Sequence, residues 1–200
     1  MRERIGIFGG SFDPIHIGHV EIAKYAVEEI PLDRLIVIPA GAAPHKSGAW
    51  LKGALRLKMT RAAIAEIGDE RIVVSNYEIL AAGQGKKSYT VDTMRRFQNL
   101  YPLSQIYFIL GTDMLFDLPN WKNPEEIVRG MKLVLAHRPE DEKGVDISSA
   151  PFPPDFVLSH TPASVSSTEI RRLIKEGKSI HNLVPNSVEN LIQQWRDSQK

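Results

Sequence analysis

The sequence contains no cysteine among its 200 residues. Disulfide bonds, thiolate metal sites and cysteine nucleophiles are therefore excluded. An excess of charge is also missing, because 25 Lys and Arg residues are matched by 24 Asp and Glu residues. The net charge of +1 lacks the basic excess that is typical of a nucleic-acid-binding protein.

Long apolar runs are lacking as well. No stretch approaches the roughly 20 residues that a membrane-spanning helix needs. The N-terminus is basic, but the apolar run that follows it is too short and too rich in glycine for a signal peptide. These absences predict a soluble, cytoplasmic protein that binds neither nucleic acid nor a membrane.

Short runs of Val, Ile and Leu alternate with helical patterns along the chain. The runs predict strands at residues 4–8, 34–38, 71–75, 105–110, 132–136 and 156–158. The apolar spacing predicts helices at 17–30, 51–67, about 88–100, 167–176 and 186–196, with a broken helical region over 115–128. Ser88 or Thr90 would cap the helix that runs to Leu100. A loop or hairpin is expected at 76–87, and a loop at 137–154. This alternation is typical of an α/β protein whose parallel sheet is covered by helices on both faces.

The length and the 42% hydrophobic content favour a single domain over residues 1–200. Its core is expected over about 4–160 and a C-terminal helical segment over about 165–197. Polar clusters follow the predicted strands, with the sequences GGSFDPIHIGH, PAGAAPHK, GTDM, HRP and SHTPASVSSTEIR. Because parallel sheets bind ligands beyond the carboxyl ends of their strands, these clusters predict one ligand cleft.

The stretch IGIFGGSFDPIHIGHV, residues 5–20, combines a strand, a glycine turn and a helix start. Backbone N–H groups and the positive end of a helix dipole bind anions at such a turn. Gly10 would let the backbone approach a ligand closely, and Asp13-Pro14 suits a helix N-cap and first helical residue. The two histidines would add side-chain donors, so the stretch predicts a phosphate site.

A zinc site and a helix cap are the alternative explanations of His16 and His19. A zinc site would need a third protein ligand, and the HExxH spacing does not occur. The GxGxxG dinucleotide fingerprint and the GxxxxGK[ST] P-loop are absent too. The glycine turn in front of the histidines favours phosphate.

The segment VSSTEIR is a second polar cluster at a predicted helix start. Ser166 and Glu169 have the spacing of a capping box. The hydroxyls of Ser167 and Thr168 would face a phosphate, and Arg171 lies about one turn into the helix. The alternative is a well-capped amphipathic helix with solvated arginines.

These motifs resemble the nucleotidylyltransferase superfamily, whose members carry (T/H)xGH after the first strand and an ISSTxIR element further on. Between the two lie PHK at 44–46, SYTVDT at 88–93, GTD at 111–113 with Trp121, and HRP at 137–139. In this order the set is similar to the bacterial nicotinate mononucleotide adenylyltransferase family over about residues 5–195. The resemblance implies an α/β fold with an open Rossmann-like parallel sheet. It also implies adenylyl transfer from ATP to nicotinate mononucleotide, without a covalent enzyme intermediate.

The resemblance further implies roles for the residues that match. The catalytic residues would be His16, His19, Lys46 and Arg171. ATP would be bound by Gly9, Gly10, Ser11, Phe12, His16, His19, Arg138, Ser166, Ser167, Thr168 and Arg171. The mononucleotide would be bound by Ser11, Phe12, His45, Lys46, Thr90, Gly111, Asp113 and Trp121. Trp121 would stack on the pyridine ring. Mg²⁺ would accompany ATP, held mostly by phosphates and water, with no organic cofactor. The oligomeric state stays open, and a homo-oligomer is one alternative.

The chain departs from the family pattern at Ala40, Gly41, Ala42 and Ala43, because the family commonly has an Asn in this segment. Three other functions also stay open. Pantetheine-phosphate adenylyltransferase shares HxGH, but the longer chain and the SYTxDT motif argue against it. Nicotinamide mononucleotide is an alternative acceptor. A non-catalytic nucleotide sensor would not need both histidines, Lys46 and Arg171.

Overall fold

The fold is built on one parallel β-sheet. The computed structural model describes residues 2–42, 49–137 and 146–199. Its strands in these ranges are β1 (Arg4–Gly10), β2 (Arg34–Pro39), β3 (Ile72–Val74), β4 (Gln105–Gly111), β5 (Lys132–Ala136) and β6 (Phe156–Val157). They lie in the order β3-β2-β1-β4-β5-β6, and every neighbouring pair is parallel. Continuous apolar strands are what such a sheet requires, since both of its faces are covered.

Helices pack on both faces of the sheet, as the sequence predicts. In the described residues they are α1 (Ile17–Glu29), α2 (Gly53–Ala65), α3 (Tyr77–Gly83), α4 (Thr90–Leu100), α5 (Thr112–Asp117), α6 (Pro124–Gly130), α7 (Ser167–Lys175) and α8 (Asn186–Asp197). One core cluster joins the sheet to α1, α2, α7 and α8. The other joins it to α4, α5 and α6.

The strand order reverses between β1 and β4. From β1 the chain adds β2 and β3 on one side, and then returns to add β4, β5 and β6 on the other. The carboxyl end of β1 therefore lies beside the carboxyl end of β4, which is where open parallel sheets bind ligands. The expected α/β architecture, an open Rossmann-like parallel sheet with helices on both faces, is confirmed.

Two local predictions are wrong. Residues 76–87 were expected to form a loop or hairpin, but they contain α3, in which no residue is fully buried. A helix without a buried face leaves no apolar stripe in the sequence. A side-chain cap from Ser88 or Thr90 was also expected, whereas the N-cap of α4 is Tyr89, with no side-chain cap bond. No helix of the described residues has the length and apolar character needed to cross a bilayer.

Candidate active site

The glycine turn, residues 9–12, comprises the last two residues of β1 and the two residues after them, and it borders open space. Apart from its chain neighbours, a Cβ on Gly9 would meet no heavy atom within 4 Å. Gly10 makes room for a side chain instead, because its Cβ would lie 2.7 Å from the ring of Phe12. Phe12 is buried and has a φ of 45°, in the left-handed region. A bulky residue adopts that region only where its surroundings impose it, so the turn is held in one shape.

Asp13 and Pro14 do not begin α1, contrary to the sequence-based expectation. The N-cap of the helix is His16. The buried carboxylate of Asp13 instead accepts hydrogen bonds from the backbone N–H groups of Trp50, at 2.7 Å, and Leu51, at 2.9 Å. A carboxylate out of water needs donors of this kind. Asp13 therefore ties the glycine turn to the segment that leads into α2.

His16 and His19 lie together at the start of α1. Their ring centroids are 3.7 Å apart, and the ring planes meet at 32°. The backbone N–H of His16 donates to Nδ1 of His19 at 3.3 Å, and the His19 ring packs edge-on against Phe12. Gly18 is required between them, since a Cβ there would lie 2.9 Å from the carbonyl oxygen of Ala163. The His19 imidazole thus packs against the glycine turn, and the His16 imidazole packs against His19.

The start of α7 is capped as the sequence predicts, but only in part. The side chain of Ser166 accepts a hydrogen bond from the backbone N–H of Glu169 at 3.1 Å. The Glu169 carboxylate does not complete a capping box, because it pairs with the guanidinium of Arg172 at 2.6 Å. One half of the expected capping box is therefore confirmed.

Helix α7 is docked on the chain just after the glycine turn. The hydroxyl of Ser167 donates to the carbonyl oxygen of Pro14 at 3.0 Å. The guanidinium of Arg171 donates to the carbonyl oxygen of Asp13 at 2.8 Å and to Oγ1 of Thr168 at 2.9 Å. The structure thus brings the second motif against the first, as their common assignment to one ligand requires.

Gly111 and Asp113 lie at the carboxyl end of β4, next to β1. Gly111 is the N-cap of α5, so Asp113 does not take that role and lies exposed in the first turn of the helix. A Cβ on Gly111 would lie only 3.0 Å from Oδ1 of Asp113. The carboxylate therefore folds back over the end of the strand.

Trp121 is half-buried and packs on the sheet. Its ring meets Phe108 of β4 edge-on, with the centroids 6.2 Å apart. Its indole N–H donates to the carboxylate of Asp117 at 2.9 Å. The orientation of the indole is fixed by these two contacts.

Lys122 connects this part of the chain to the α4 segment, residues 88–93. Its ammonium lies 4.5 Å from the centroid of the Tyr89 ring and 3.0 Å from a carboxylate oxygen of Asp92. Thr90 is the first residue of α4 and is half-buried. Lys122, the residue after Trp121, therefore links the neighbourhood of Trp121 to that of Thr90.

Three predicted site residues fall outside the described ranges. They are His45 and Lys46, which follow β2, and Arg138, which follows β5. Their roles remain sequence-based predictions.

The chain matches known proteins over nearly its whole length. The model of the family described as cytidylyltransferase-like matches residues 7–173. A relative from Thermus thermophilus is 42% identical over 95% of this chain and 96% of its own length. A relative from Clostridium tetani is 37% identical over 94% of this chain and 96% of its own length. Both are named "Probable nicotinate-nucleotide adenylyltransferase". The chain belongs to the cytidylyltransferase-like family.

The fold of this cytidylyltransferase-like protein is shared with solved structures. It is similar to the nicotinic acid mononucleotide adenylyltransferase of Plasmodium falciparum complexed with NaAD, with a TM-score of 0.76 and 20% identity. The match covers 98% of this chain and 97% of the other. At this level of identity the similarity shows the fold alone.

Sequence reasoning missed the buried guanidinium of Arg56. It is 2% exposed and donates to three backbone carbonyls, those of Ser11, Ala40 and Leu51. The signal was present, because Arg56 lies on the buried stripe of α2 together with Met59. A charged residue on an apolar helix face needs partners, and that requirement points to a structural or functional task.

No cluster of three or more His, Cys, Asp or Glu side chains that could hold a metal ion occurs in the described residues. Two carboxylates of the candidate site, those of Asp13 and Asp113, differ in whether their oxygens are free to bind a cation. Both oxygens of Asp13 already accept backbone hydrogen bonds, whereas Asp113 is exposed. Such a donor set fits a cation that is held mainly by the ligand's own phosphates and by water.

Proposed function

We propose that this cytidylyltransferase-like protein transfers the adenylyl group of ATP to nicotinate mononucleotide, as a step of NAD biosynthesis. The products are nicotinate adenine dinucleotide and pyrophosphate. Curated relatives that carry the name of this activity match nearly the full chain. The structural observation that supports it best is the docking of α7 on the chain after the glycine turn. Because this contact brings the two nucleotidylyltransferase motifs together, it supports their assignment to one ligand.

The glycine turn and the start of α1 suit the phosphates of ATP. The open space next to Gly9 leaves room for an anion beside the backbone. His16 and His19, at the N-terminus of α1, would donate to the triphosphate where the helix dipole also favours negative charge. Arg171 would add positive charge from α7, and Lys46 from the segment after β2. These groups would stabilise charge that grows on the leaving pyrophosphate.

The reaction would proceed by direct in-line displacement. An oxygen of the mononucleotide 5′-phosphate attacks the α-phosphorus of ATP, and the bond to the β-phosphate oxygen breaks. The attacking phosphate is already ionised, so no protein nucleophile and no general base are required. The protein then has to hold two anions in line and neutralise charge, which are the main sources of catalysis in phosphoryl-group chemistry.

The acceptor would bind between β4 and the α4 segment. Its pyridine ring would stack on Trp121, and its carboxylate would accept hydrogen bonds from Thr90 and nearby backbone N–H groups. Asp113, at the end of β4, would accept hydrogen bonds from ribose hydroxyls. Mg²⁺ would enter with ATP and supply further charge neutralisation. We expect the protein to act in the cytoplasm.

Pyrophosphate release tests the proposal. The protein is mixed with MgATP and, in separate reactions, with nicotinate mononucleotide, nicotinamide mononucleotide or 4′-phosphopantetheine. We expect the highest kcat/KM with nicotinate mononucleotide, and a dinucleotide product in equal amount to the pyrophosphate. A preference for either other acceptor would reassign the substrate. ATP binding without pyrophosphate release from any acceptor would indicate a nucleotide sensor and contradict the proposal.

A further inference from the structure

The bridging segment, residues 40–42, lies between the two sides of the candidate site. Its side chains are no larger than a methyl group, so its backbone makes the contacts. At one end the Ala40 N–H donates to the Gly10 carbonyl oxygen at 2.8 Å. At the other end the Ala42 carbonyl oxygen accepts from the Ser88 N–H at 3.0 Å. The bridging segment therefore touches both the glycine turn and the α4 segment.

Arg56 fastens the bridging segment to the glycine turn a second time. Its guanidinium donates to the Ala40 carbonyl oxygen at 2.7 Å and to the Ser11 carbonyl oxygen at 2.5 Å. Its Nε donates to the carbonyl oxygen of Leu51, just before α2, at 3.3 Å. One planar group thus fixes the relative positions of three backbone segments. The rigid fork of guanidinium donors is suited to this task, whereas a lysine ammonium is not.

Glu78 fastens the bridging segment to the α4 segment in the same way. Its carboxylate accepts from the Gly41 N–H at 3.3 Å and from the Thr93 hydroxyl at 2.8 Å. Gly41 cannot carry a side chain here, because a Cβ would collide with the Glu78 carbonyl group. Close approach of α3 to the bridging segment is therefore built into the sequence at this position.

The two charges also compensate each other. Burial lowers the pKa of Arg56, and the nearby carboxylates of Asp13 and Glu78 oppose that change. Burial raises the pKa of Glu78, while its hydrogen bonds from Thr93 and the charge of Arg56 oppose it. Each charge thus opposes the pKa change that burial causes in the other group, so removal of one leaves the other less compensated.

We propose that Arg56 and Glu78 are positioning residues that set, through the bridging segment, the separation between the ATP side and the acceptor side of the site. Neither residue needs to touch a substrate. The inference rests on the proposed adenylyl transfer, because only a reaction between two bound substrates depends on that separation.

The physical reason lies in the geometry of in-line attack. Two substrates that bind normally still react slowly when their reacting atoms are displaced, and a shift of about 1 Å can cost about 100-fold in rate. A change in the spacing of the two sides should therefore lower kcat, while each substrate alone binds as before. A purely structural role would instead reduce the folded fraction, or weaken binding and turnover together.

The experiment measures kcat with MgATP and nicotinate mononucleotide, and the affinity of each substrate alone by calorimetry. Arg56→Met should lower kcat about 100-fold, and Glu78→Gln about 10-fold, with both affinities unchanged. Arg56→Lys retains the charge and some donors, so it should recover part of the lost kcat. Because the two residues act through one segment, the double variant should lose less than the product of the single losses.

Matched controls are Arg61→Met and Glu70→Gln, which change exposed residues near α2 and should keep wild-type kcat. If Arg56→Met does not fold, Arg56→Lys and Glu78→Gln decide by the same readouts. The inference is overturned if folded variants keep the kcat of their controls, or if kcat and both affinities fall together. An inactive wild-type protein would overturn the proposed function as well, so the two failures are distinguishable.

Discussion

The glycine turn and the α4 segment lie on the two sides of the candidate site, and they are held in different ways. Around the glycine turn, charged side chains donate to or accept from backbone groups, as Arg56, Arg171 and Asp13 do. The α4 segment has a partly buried tie of comparable kind, from Thr93 to Glu78, but its outer face is held by surface side chains that pair with each other. One such pair is Lys122 and Asp92, whose side chains are 42% and 40% exposed. The first arrangement fixes backbone positions, while the second contributes little stability.

The difference indicates that the two sides of the site contribute to function in different ways. A rigid turn suits the triphosphate, because donors that are already in place stabilise developing charge without reorganisation. The acceptor side depends more on an aromatic face and a few hydrogen bonds. Variants on the two sides should therefore differ both in size of effect and in the parameter that changes.

The largest effect is expected from His19→Ala on the ATP side. Loss of a positioned donor should lower kcat by about 10²- to 10³-fold, because such donors act mainly in the transition state. His181→Ala is the matched control, since His181 is an exposed residue paired with Glu189. Steady-state kinetics measure both variants. A kcat near that of wild type for His19→Ala would remove this histidine from the catalytic group.

The next largest effect concerns stability and compares the two sides directly. Asp13→Ala leaves the N–H groups of Trp50 and Leu51 without their acceptor, which should lower the free energy of unfolding by about 3 kcal/mol. Asp92→Ala removes only the exposed ion pairs with Arg95 and Lys122, so the free energy of unfolding should fall by less than about 1 kcal/mol. Urea denaturation measures both. Equal losses would contradict the difference between the two sides.

A smaller effect is expected at Trp121. Trp121→Ala should raise the KM for nicotinate mononucleotide about 5-fold, because an aromatic pair contributes about 1 kcal/mol. The KM for ATP should stay unchanged. Trp121→Phe retains an aromatic face and should show a smaller increase. If both KM values rise equally, Trp121 acts as a structural residue over Phe108 and not as an acceptor contact.

The smallest effect is expected at Glu29, the last residue of α1 and therefore at the opposite end of that helix from His16 and His19. Burial alone would raise the pKa of Glu29, but hydrogen bonds from Ser159 and His160 outweigh it and hold that pKa below its usual value. The stabilisation is therefore present above the usual pKa of about 4.3 and is lost as the pH falls through the lowered one.

Glu29→Gln tests this assignment without touching the site. At pH 7 the variant should be less stable than wild type by about 1 kcal/mol, with unchanged kcat. This difference in the free energy of unfolding should become smaller as the pH falls below about 4. Urea denaturation at several pH values measures it. A difference that is independent of pH would contradict the ionic role of Glu29, and a changed kcat would contradict its separation from the site.

Much of the fold could be predicted from sequence, because buried parallel strands are continuous apolar runs. β5 was predicted with its observed bounds, and β1 was predicted to end at residue 8 although it continues to Gly10. The extra residues are glycines, which carry no strand signal. Helix α3 was missed because it has no buried stripe, and Glu78 was missed with it.

In the candidate site, too, features that depend on local sequence could be predicted, and features that depend on long-range contacts could not. Residues that are proposed to meet the ligand, such as His16 and His19, stand in recognisable sequence motifs, and their roles stay predictions. Residues that hold the turn do so across long sequence separations. Asp13 bonds to Leu51, and Arg56 bonds to Ser11. Local rules assigned Asp13 to a helix cap because they consider only neighbours in sequence.

The most direct test of the central claim is to follow backbone amide signals by NMR while a non-hydrolysable ATP analogue with Mg²⁺ is added to isotope-labelled protein. We expect the largest shifts at residues 9–12, at His16 and His19, and at Ser167 and Thr168 of α7. Signals in the groove between α2 and the edge strand β3, such as those of Gly68 and Val74, should remain in place. Largest shifts at that groove, with residues 9–12 unchanged, would contradict the assignment of the glycine turn as the nucleotide site.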